Sequence, residues 1–197
     1  MSGFNFNLDP IQNFVSWLDE AVEQKMPDPN AMALATVNKE NKPSVRIVFY
    51  KGMIRDGFSF YTNYTGRKAQ DIALNPNVCV NFFWSPLERQ IRIEGKAQKT
   101  TREESEAYFK TRPRVSQLGA WASNQSQRLM SLEILSNKFK ELDSQYAGKE
   151  IPCPPHWGGF IIVPEVIEFW NGRQGRMHER YQYTRNGSDW DRSFLNP

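Results

Sequence analysis

Histidine and cysteine are scarce in this chain, with two of each among 197 residues. Cys79 and Cys153 lie too far apart for a zinc or dithiol motif, and His156 and His178 are equally separated. We therefore expect no metal site built from these residues. So few cysteines are typical of a reducing compartment, and we expect a cytoplasmic protein.

Long apolar runs and dense blocks of one charge are also lacking. No uninterrupted apolar stretch is long enough to span a bilayer, and no secretory signal pattern opens the chain, so no membrane partner is expected. The net charge of +3 is spread along the sequence. Without a cluster of Lys and Arg we expect no nucleic-acid partner either.

What the sequence does contain is a series of short β-type runs with helices before and among them. Asp9 and Pro10 begin a predicted helix over about 9–25, because Asp caps free amides and Pro suits the first helical position. A short helix is predicted over 67–74, and a helical section over about 101–146 is broken near Pro113. Strands are predicted over 32–37, 45–51, 57–62, 78–84, 88–98, 159–163, 166–170 and 176–183, with a short edge strand near Trp190.

This order of elements predicts the fold class. Most strands are neighbours in sequence, and the helices are gathered at the start and late middle of the chain. That order favours an antiparallel β-barrel with added helices, an α+β fold, over a doubly wound parallel sheet. We expect one domain over residues 1–197.

The segment 176–180 carries the most informative pattern. If it begins a strand, Arg176, His178 and Arg180 share one face. Two guanidiniums flanking an imidazole suit a planar anionic ring, because Arg offers stacking and paired donors. The alternative is a solvated strand face with chance spacing.

Two further places suggest phosphate binding. Arg67 and Lys68 follow Gly66 at the start of a helix, where free amides and the helix dipole favour an anion, although both could equally be solvated. Arg46 and Lys51 bracket an apolar strand, and their odd spacing places them on opposite faces. They therefore serve two separate sites unless the chain bulges or leaves the strand at Gly52.

A helix and a polar run supply the remaining candidates. Tyr108 and Arg112 share a helix face, and with Ser116 beyond Pro113 they could hold a phosphate. An equally common alternative is that Arg112 rests over an aromatic ring without binding a ligand. Gln125 and Ser126 lie in a short polar run that could donate hydrogen bonds to a phosphate or a ring edge.

With these motifs in view, the chain from about Asp9 to Pro197 resembles the pyridoxine/pyridoxamine 5'-phosphate oxidase family. The most specific match is Ile167-Glu168-Phe169-Trp170 followed by Arg176-Met177-His178-Glu179-Arg180. Further matching blocks follow in the right order: 46–51, 60–63 with 67–68, 87–90, 108–114 and 116–121.

The resemblance implies an FMN-binding split β-barrel of antiparallel Greek-key type, working as a homodimer with FMN at the subunit interface. Carried over by position, the residues implied to bind FMN are Arg46, Ile47, Val48, Lys51, Tyr61, Thr62, Arg67, Lys68, Gln90, Gln125, Ser126, Trp170 and Arg180. Those implied to bind the substrate are Lys51, Tyr108, Arg112, Ser116, Arg176 and His178. Arg176 and His178 would be the catalytic pair, orienting the pyridine ring, and Arg46 and Lys51 would serve two ligands.

The implied activity is the oxidation of pyridoxine or pyridoxamine 5'-phosphate to pyridoxal 5'-phosphate, with O₂ as acceptor and H₂O₂ released. Two alternatives remain: a related flavin oxidase of phenazine-type biosynthesis, and a non-catalytic flavin or pyridoxal phosphate binding protein. Two departures stand out. Eight residues precede Asp9, where the family usually has a longer segment with Arg and Tyr, so we expect weaker substrate closure or a lid from another segment. Asn171 is a less usual residue in the signature turn.

Overall fold

A computed structural model describes residues 4–197. Residues 1–3, which belong to the predicted single domain, lie outside the described part. Over residues 4–197 no helix combines the length and the apolar character that crossing a membrane requires.

Residues 4–197 contain five α-helices. The first begins as predicted: the Asp9 carboxylate accepts a hydrogen bond from the Ile11 amide at 2.7 Å, and Pro10 occupies the first turn. Its apolar face buries Phe14 and Trp17 completely or nearly so. The helices are α1 (Pro10–Glu23), α2 (Arg67–Leu74), α3 (Arg102–Thr111), α4 (Arg114–Ala122) and α5 (Leu132–Gln145).

Within the described part of the chain, nine strands form one sheet in which every pairing is antiparallel. The strands are β1 (Ala31–Val37), β2 (Pro43–Phe49), β3 (Met53–Ile54), β4 (Gly57–Asn63), β5 (Asn77–Trp84), β6 (Arg89–Lys99), β7 (Trp157–Asn171), β8 (Glu179–Asn186) and β9 (Asp189–Leu195). The strand order is β2-β1-β5-β6-β7-β4-β3. Outside this order, β8 pairs with both β7 and β9. The predicted class, an antiparallel split barrel with helices, is confirmed.

The ends of this sheet meet because the chain leaves β2 and runs beside β4. The Lys51 amide donates to the Ser59 carbonyl at 2.9 Å, and the Ser59 amide donates to the Gly52 carbonyl at 3.0 Å. Gly52 has φ +102°, a conformation that side chains disfavour. This glycine therefore lets the chain turn out of β2 and places Lys51 at the end of the strand.

The predicted elements are largely present, with three corrections. The strands predicted over 159–163 and 166–170 are one strand, β7, which bulges between them. Glu94 and Gly95 of β6 pair with Val166 and Pro164, so Glu165 is the extra residue. The strand predicted over 45–51 ends at Phe49. The helical section 101–146 contains a second break, between Ala122 and Leu132. The helix over 67–74 and the strand near Trp190 are confirmed.

The start of the last sheet segment is also corrected. The strand predicted from Arg176 begins at Glu179, and Arg176 lies in a 3-10 turn, Gln174–Arg176. Period-two alternation therefore does not relate Arg176, His178 and Arg180. Gly175 and Arg176 both have positive φ, +67° and +61°, which extended backbone cannot have.

Candidate functional site

A cavity of about 470 Å³ lies between β2, β4, α2, the α3–α4 junction and the start of β7. Ten residues predicted to bind FMN or substrate line it: Ile47, Val48, Lys51, Tyr61, Thr62, Lys68, Tyr108, Arg112, Ser116 and Gln125. Segments separated by up to about 80 residues in sequence therefore converge on one concave surface, as a small-molecule site requires.

One part of the cavity is built around Lys68. Its Nζ donates to the Gln125 Oε1 at 2.8 Å and to the Thr62 Oγ1 at 3.1 Å. Within residues 4–197 it makes no ion pair with a carboxylate. Burial, and then the nearby charge of Arg46, lower the pKa of Lys68. A phosphate bound here would supply the negative charge that Lys68 lacks and would raise its pKa again.

Arg46 lies behind Lys68 and is fixed by strand partners. Its guanidinium donates to the Thr36 Oγ1 at 2.7 Å and to the Ser44 Oγ at 2.8 Å. Thr36 in turn donates to the buried Asp71 carboxylate at 2.7 Å. Burial, the largest effect, lowers the pKa of Arg46, the Asp71 charge opposes this, and the Arg67 charge adds to it. Sequence reasoning missed Thr36 and Asp71, because neither carries a motif.

The start of α2 brings Gly66 against Gln125. A Cβ at Gly66 would lie 2.6 Å from the Gln125 Oε1, so a larger residue would displace the amide that Lys68 binds. No side chain caps this helix end, which leaves first-turn amides for an anion. Arg67 follows on the surface and Ser126 is exposed, with φ +68°. Both flank the cavity without lining it.

The other part of the cavity contains Arg112. Its Nη1 is buried without a hydrogen-bond partner, and burial is the main cause that lowers the pKa of this guanidinium. Tyr108 stacks on Tyr61 with ring centroids 3.9 Å apart, and burial raises the pKa of Tyr61 to about 12. A partly buried cation with a buried, unpaired donor, beside Ser116 and two phenols, is suited to bind a second anionic group.

The position of Lys51 explains the odd spacing between Arg46 and Lys51 in the sequence. Because the chain leaves β2 after Phe49, Lys51 lies outside the strand and its side chain lines the cavity. Arg46 stays within β2, beside Lys68. The chain does leave the strand before Gly52, but only Lys51 lines the cavity and Arg46 does not, so the two cations stay apart.

A second group of predicted residues lies on β6, β7 and β8, and its members do not line the cavity. Gln90 is paired with Trp170, and Trp170 with Arg180, across adjacent strands. The Trp170 and His178 rings are 4.7 Å apart. The His178 Nδ1 accepts a hydrogen bond from the Arg173 amide at 3.1 Å, which leaves Nε2 to face a ligand. Arg176 is exposed in its turn.

Glu168 fixes Arg180 in this second group. Its carboxylate is almost fully buried and accepts from the Arg180 Nε at 2.9 Å and from the Arg92 Nη2 at 2.6 Å. The hydrogen bond to Glu168 raises the pKa of Arg180. Glu168 and Arg92 were not predicted as site residues, although their alternation with buried neighbours on a strand gave a signal.

We expect Glu168→Gln to lower the free energy of unfolding by about 2 kcal/mol, because two guanidiniums lose the anion between them and both retain some access to water. The matched control is Glu165→Gln on the same strand. Glu165 pairs with Lys96 at 3.0 Å, but both side chains are about half exposed, so a change within about 0.5 kcal/mol is expected. Urea unfolding measures both, and equal effects would contradict the prediction.

Trp157 is the cavity residue that the sequence-based list most clearly omits. It is buried at the start of β7 and stacks nearly parallel to the rings of Tyr61 and Tyr108. The Gly-Gly pair that follows it in the sequence was a possible signal of close packing. Within residues 4–197, no cluster of three or more His, Cys, Asp or Glu side chains is placed to hold a metal ion.

Comparison with known families gives two matches that together span most of the chain. The model described as pyridoxamine 5'-phosphate oxidase matches residues 18–146. The model described as pyridoxine 5'-phosphate oxidase C-terminal dimerisation region matches residues 157–197. The first contains the cavity residues except Trp157, and the second contains Trp157, Trp170, Arg176, His178 and Arg180.

Individual relatives agree with these matches. The chain is 53% identical over 189 residues to the pyridoxine/pyridoxamine 5'-phosphate oxidase of Leptospira biflexa, covering 96% of this chain and 89% of the relative. It is 47% identical over 192 residues to the protein of that name from Bdellovibrio bacteriovorus, covering 98% of each.

Solved structures show the same fold. PhzG from Burkholderia lata 383, solved with tetrahydrophenazine-1-carboxylic acid, superposes with a TM-score of 0.91 at 29% identity, covering 96% of this chain and 93% of PhzG. A pyridoxamine 5'-phosphate oxidase-related, FMN-binding protein from Nostoc punctiforme has a TM-score of 0.77 at 16% identity, covering 98% and 100% of the two chains, and supports the fold alone. From its family matches and its relatives, this chain belongs to the pyridoxamine 5'-phosphate oxidase family.

Proposed function

We propose that this protein oxidises pyridoxine 5'-phosphate and pyridoxamine 5'-phosphate to pyridoxal 5'-phosphate, with FMN as its cofactor and O₂ as the electron acceptor. The alcohol yields the aldehyde and H₂O₂, and the amine also consumes water and releases ammonia. The observation that carries the proposal is the 470 Å³ cavity with one cation group around Lys68 and another at Arg112. Family membership and the relatives' names support the same activity.

The residues at the Lys68 part of the cavity fit the FMN phosphate. Lys68 has no carboxylate partner in residues 4–197, Arg46 stands behind it, and the uncapped start of α2 adds amides. When bound, FMN supplies the redox chemistry by taking a hydride equivalent from the substrate and passing electrons to O₂. Thr62 and Gln125 would orient the phosphate group, while Arg67 and Ser126 would contact it from the surface.

The residues at the Arg112 part of the cavity fit the substrate phosphate. Arg112 offers a buried donor without an acceptor, Tyr108 and Ser116 offer hydroxyls, and Lys51 adds a second cation. Holding the phosphate at one fixed point orients the pyridine ring relative to the flavin. Such alignment is the main contribution a protein makes when a cofactor performs the redox step.

We further propose that the active site is completed by a second copy of the chain. Arg176, His178 and Arg180 lie with Trp170 in a group that does not line the cavity, and they fall within the segment matched as a dimerisation region. In a homodimer, Arg176 and His178 of one copy would reach the pyridine ring in the cavity of the other. Both cysteines are free thiols, and we propose a cytoplasmic location.

A second candidate activity is favoured by the likeness to PhzG. An oxidase acting on an unphosphorylated aromatic acid would use the same fold and cofactor. It would not need a phosphate group held at Lys51, Tyr108, Arg112 and Ser116, yet all four line the cavity. We therefore rank this activity below oxidation of a phosphorylated substrate. A binding protein without activity is the third reading.

One experiment separates the proposed activity from both alternatives. The FMN-loaded protein is mixed anaerobically with pyridoxine 5'-phosphate or with pyridoxine, and flavin absorbance is followed. We expect bleaching with the phosphorylated compound, restored by air with release of H₂O₂. Unchanged absorbance with both compounds would overturn the proposed activity in favour of the other two candidates, and equal bleaching with both would indicate that phosphate is not recognised. A protein that stays colourless with FMN would overturn the proposal.

Replacing Lys68 with methionine should weaken FMN binding about 30-fold, because a charge-assisted hydrogen bond to phosphate is lost. Its pH dependence should also change. Burial and Arg46 lower the pKa of Lys68 in the free protein, and a bound phosphate raises it again. Wild-type FMN affinity is therefore full below the lowered pKa and falls as the pH rises through it, short of the ordinary lysine value of 10.5. Fluorescence titration should find no such fall in the variant.

A further inference from the structure

Trp157 occupies the centre of a small aromatic cluster beside the cavity. Its side chain is 5% exposed. Its ring lies nearly parallel to that of Tyr61, with centroids 5.5 Å apart, and meets Phe109 edge-on at 5.0 Å. Because Trp157 begins β7 and pairs with Asn63 of β4, its position is fixed by the sheet.

The guanidinium of Arg112 rests on this cluster. Its central carbon lies 4.6 Å from the Trp157 ring centroid and 5.6 Å from that of Phe109. Tryptophan gives the strongest cation-π attraction among the aromatic side chains, and the attraction grows when the pair is removed from water. The indole face therefore holds the guanidinium within the cavity wall.

What distinguishes Arg112 is that no anion accompanies this aromatic contact. Among residues 4–197, no Asp or Glu forms an ion pair with it, and its buried Nη1 has no hydrogen-bond acceptor. Arg89 provides a comparison. Its central guanidinium carbon lies 4.8 Å from the Trp17 ring centroid, but Glu20 forms an ion pair with it at 2.6 Å. Arg89 is neutralised within the fold, whereas Arg112 keeps its charge available.

We propose that Trp157 is a positioning residue that sets the preference for phosphorylated over unphosphorylated substrate. It holds Arg112 at the cavity without neutralising it, so that the full charge meets the phosphate. An acidic residue in its place would hold the guanidinium equally well but would compete with the ligand. The inference rests on the proposed function, since it assigns the Arg112 part of the cavity to the substrate phosphate.

The test measures binding with ligands that cannot be oxidised. 4-Deoxypyridoxine 5'-phosphate and 4-deoxypyridoxine are titrated calorimetrically into the FMN-loaded wild type and into Trp157→Leu and Trp157→Phe. We expect the Leu variant to bind the phosphorylated compound about 30-fold more weakly, the Phe variant about 3-fold more weakly, and the unphosphorylated compound to change less than 2-fold in both. FMN content should stay at the wild-type level.

Trp121→Leu is the matched control. Trp121 packs against the buried hydrophobic cluster that contains Trp157 and Phe109. However, its Nε1 donates to the Pro152 carbonyl at 2.7 Å, and it does not line the cavity. It should lose stability without a change in the ratio of the two affinities. If Trp157→Leu does not fold, the Phe variant decides, and an unchanged affinity ratio there overturns the inference.

Other outcomes separate this inference from the proposed function. If the wild type oxidises no vitamer but Trp157→Leu weakens the phosphorylated compound selectively, the proposed activity fails while the role of Trp157 stands. If the wild type oxidises vitamers but Trp157→Leu weakens both compounds equally, the positioning role fails and the activity stands. A wild type that binds the two compounds equally overturns the inference directly.

Discussion

Arg112→Met should stabilise the ligand-free protein while raising the KM for phosphorylated substrates roughly 100-fold. The two effects have one cause. Arg112 is a partly buried cation whose buried Nη1 has no acceptor among residues 4–197, and burial lowers its pKa from the ordinary value. A charge held in this way destabilises the fold until an anion arrives, and an apolar side chain of similar length removes that cost.

The sizes follow from general magnitudes. Replacing buried charged groups with packed apolar ones is often neutral or stabilising by about 1–4 kcal/mol. Because Arg112 is partly buried and also gives up its contact with the Trp157 ring, we expect a gain of about 1 kcal/mol, which raises the Tm by roughly 2–4 °C in a chain of this size. Losing charge-assisted hydrogen bonds to a phosphate costs up to about 3 kcal/mol, or roughly 100-fold in affinity. Scanning calorimetry and steady-state kinetics with pyridoxine 5'-phosphate measure the two quantities.

Arg114→Met is the matched control, two residues along the chain. Arg114 is exposed and donates to the carbonyls of Tyr146 and Lys149, at 2.9 and 3.3 Å, so it links α4 to the segment after α5. The same substitution should therefore lower the Tm slightly and leave the KM unchanged. A destabilised Arg112→Met with normal KM would show that Arg112 is structural.

The contrast between these two arginines illustrates what the sequence could and could not predict. Tyr108, Arg112 and Ser116 could be grouped from helix spacing, since residues four apart share a face. That Arg112 lacks a carboxylate partner could not be deduced, because it depends on which distant segments pack against it. Trp157, more than 40 residues away, was missed for the same reason.

Helices and turns whose sequence signals lie in adjacent residues were predicted well. The capping residue Asp9 and the apolar spacing of α1, and the turn before α2, are encoded in adjacent residues. The single strand β7 was divided at Pro164 and Glu165, and the pairing is indeed irregular there, because Glu165 is an extra residue between the partners of Gly95 and Glu94. A bulge lets one strand continue past such an interruption, and sequence alone does not identify the partner strand that keeps it in the sheet.

The turn at Arg176 could not be predicted from alternation at all. Arg176, His178 and Arg180 alternate as strand residues do, but Arg176 has φ +61°, beyond the reach of a strand. A non-glycine residue in this conformation costs on the order of 1 kcal/mol. Such strain is found where a side chain is needed in one particular direction, which supports the role proposed for Arg176.

We expect Arg176→Ala to lower turnover about 100-fold while leaving FMN content within about 2-fold of the wild type. Arg176 makes no ion pair within the described residues 4–197, so its loss removes little from the fold. If its guanidinium orients the pyridine ring, the loss falls on alignment in the transition state, hence on turnover. Stopped-flow flavin reduction and flavin titration measure the two effects.

Arg176→Asn separates the guanidinium from the backbone conformation. Asparagine tolerates positive φ better than alanine does, so it preserves the turn without the charge. Turnover as low as in Arg176→Ala is expected if the guanidinium is required, whereas near-normal turnover would assign the effect to the turn. Arg173→Ala, which removes an exposed guanidinium paired with Glu179 in the same loop, should change turnover less than 3-fold. Equal losses of turnover and FMN content in Arg176→Ala would place Arg176 in cofactor binding, because alignment of the substrate does not retain the flavin.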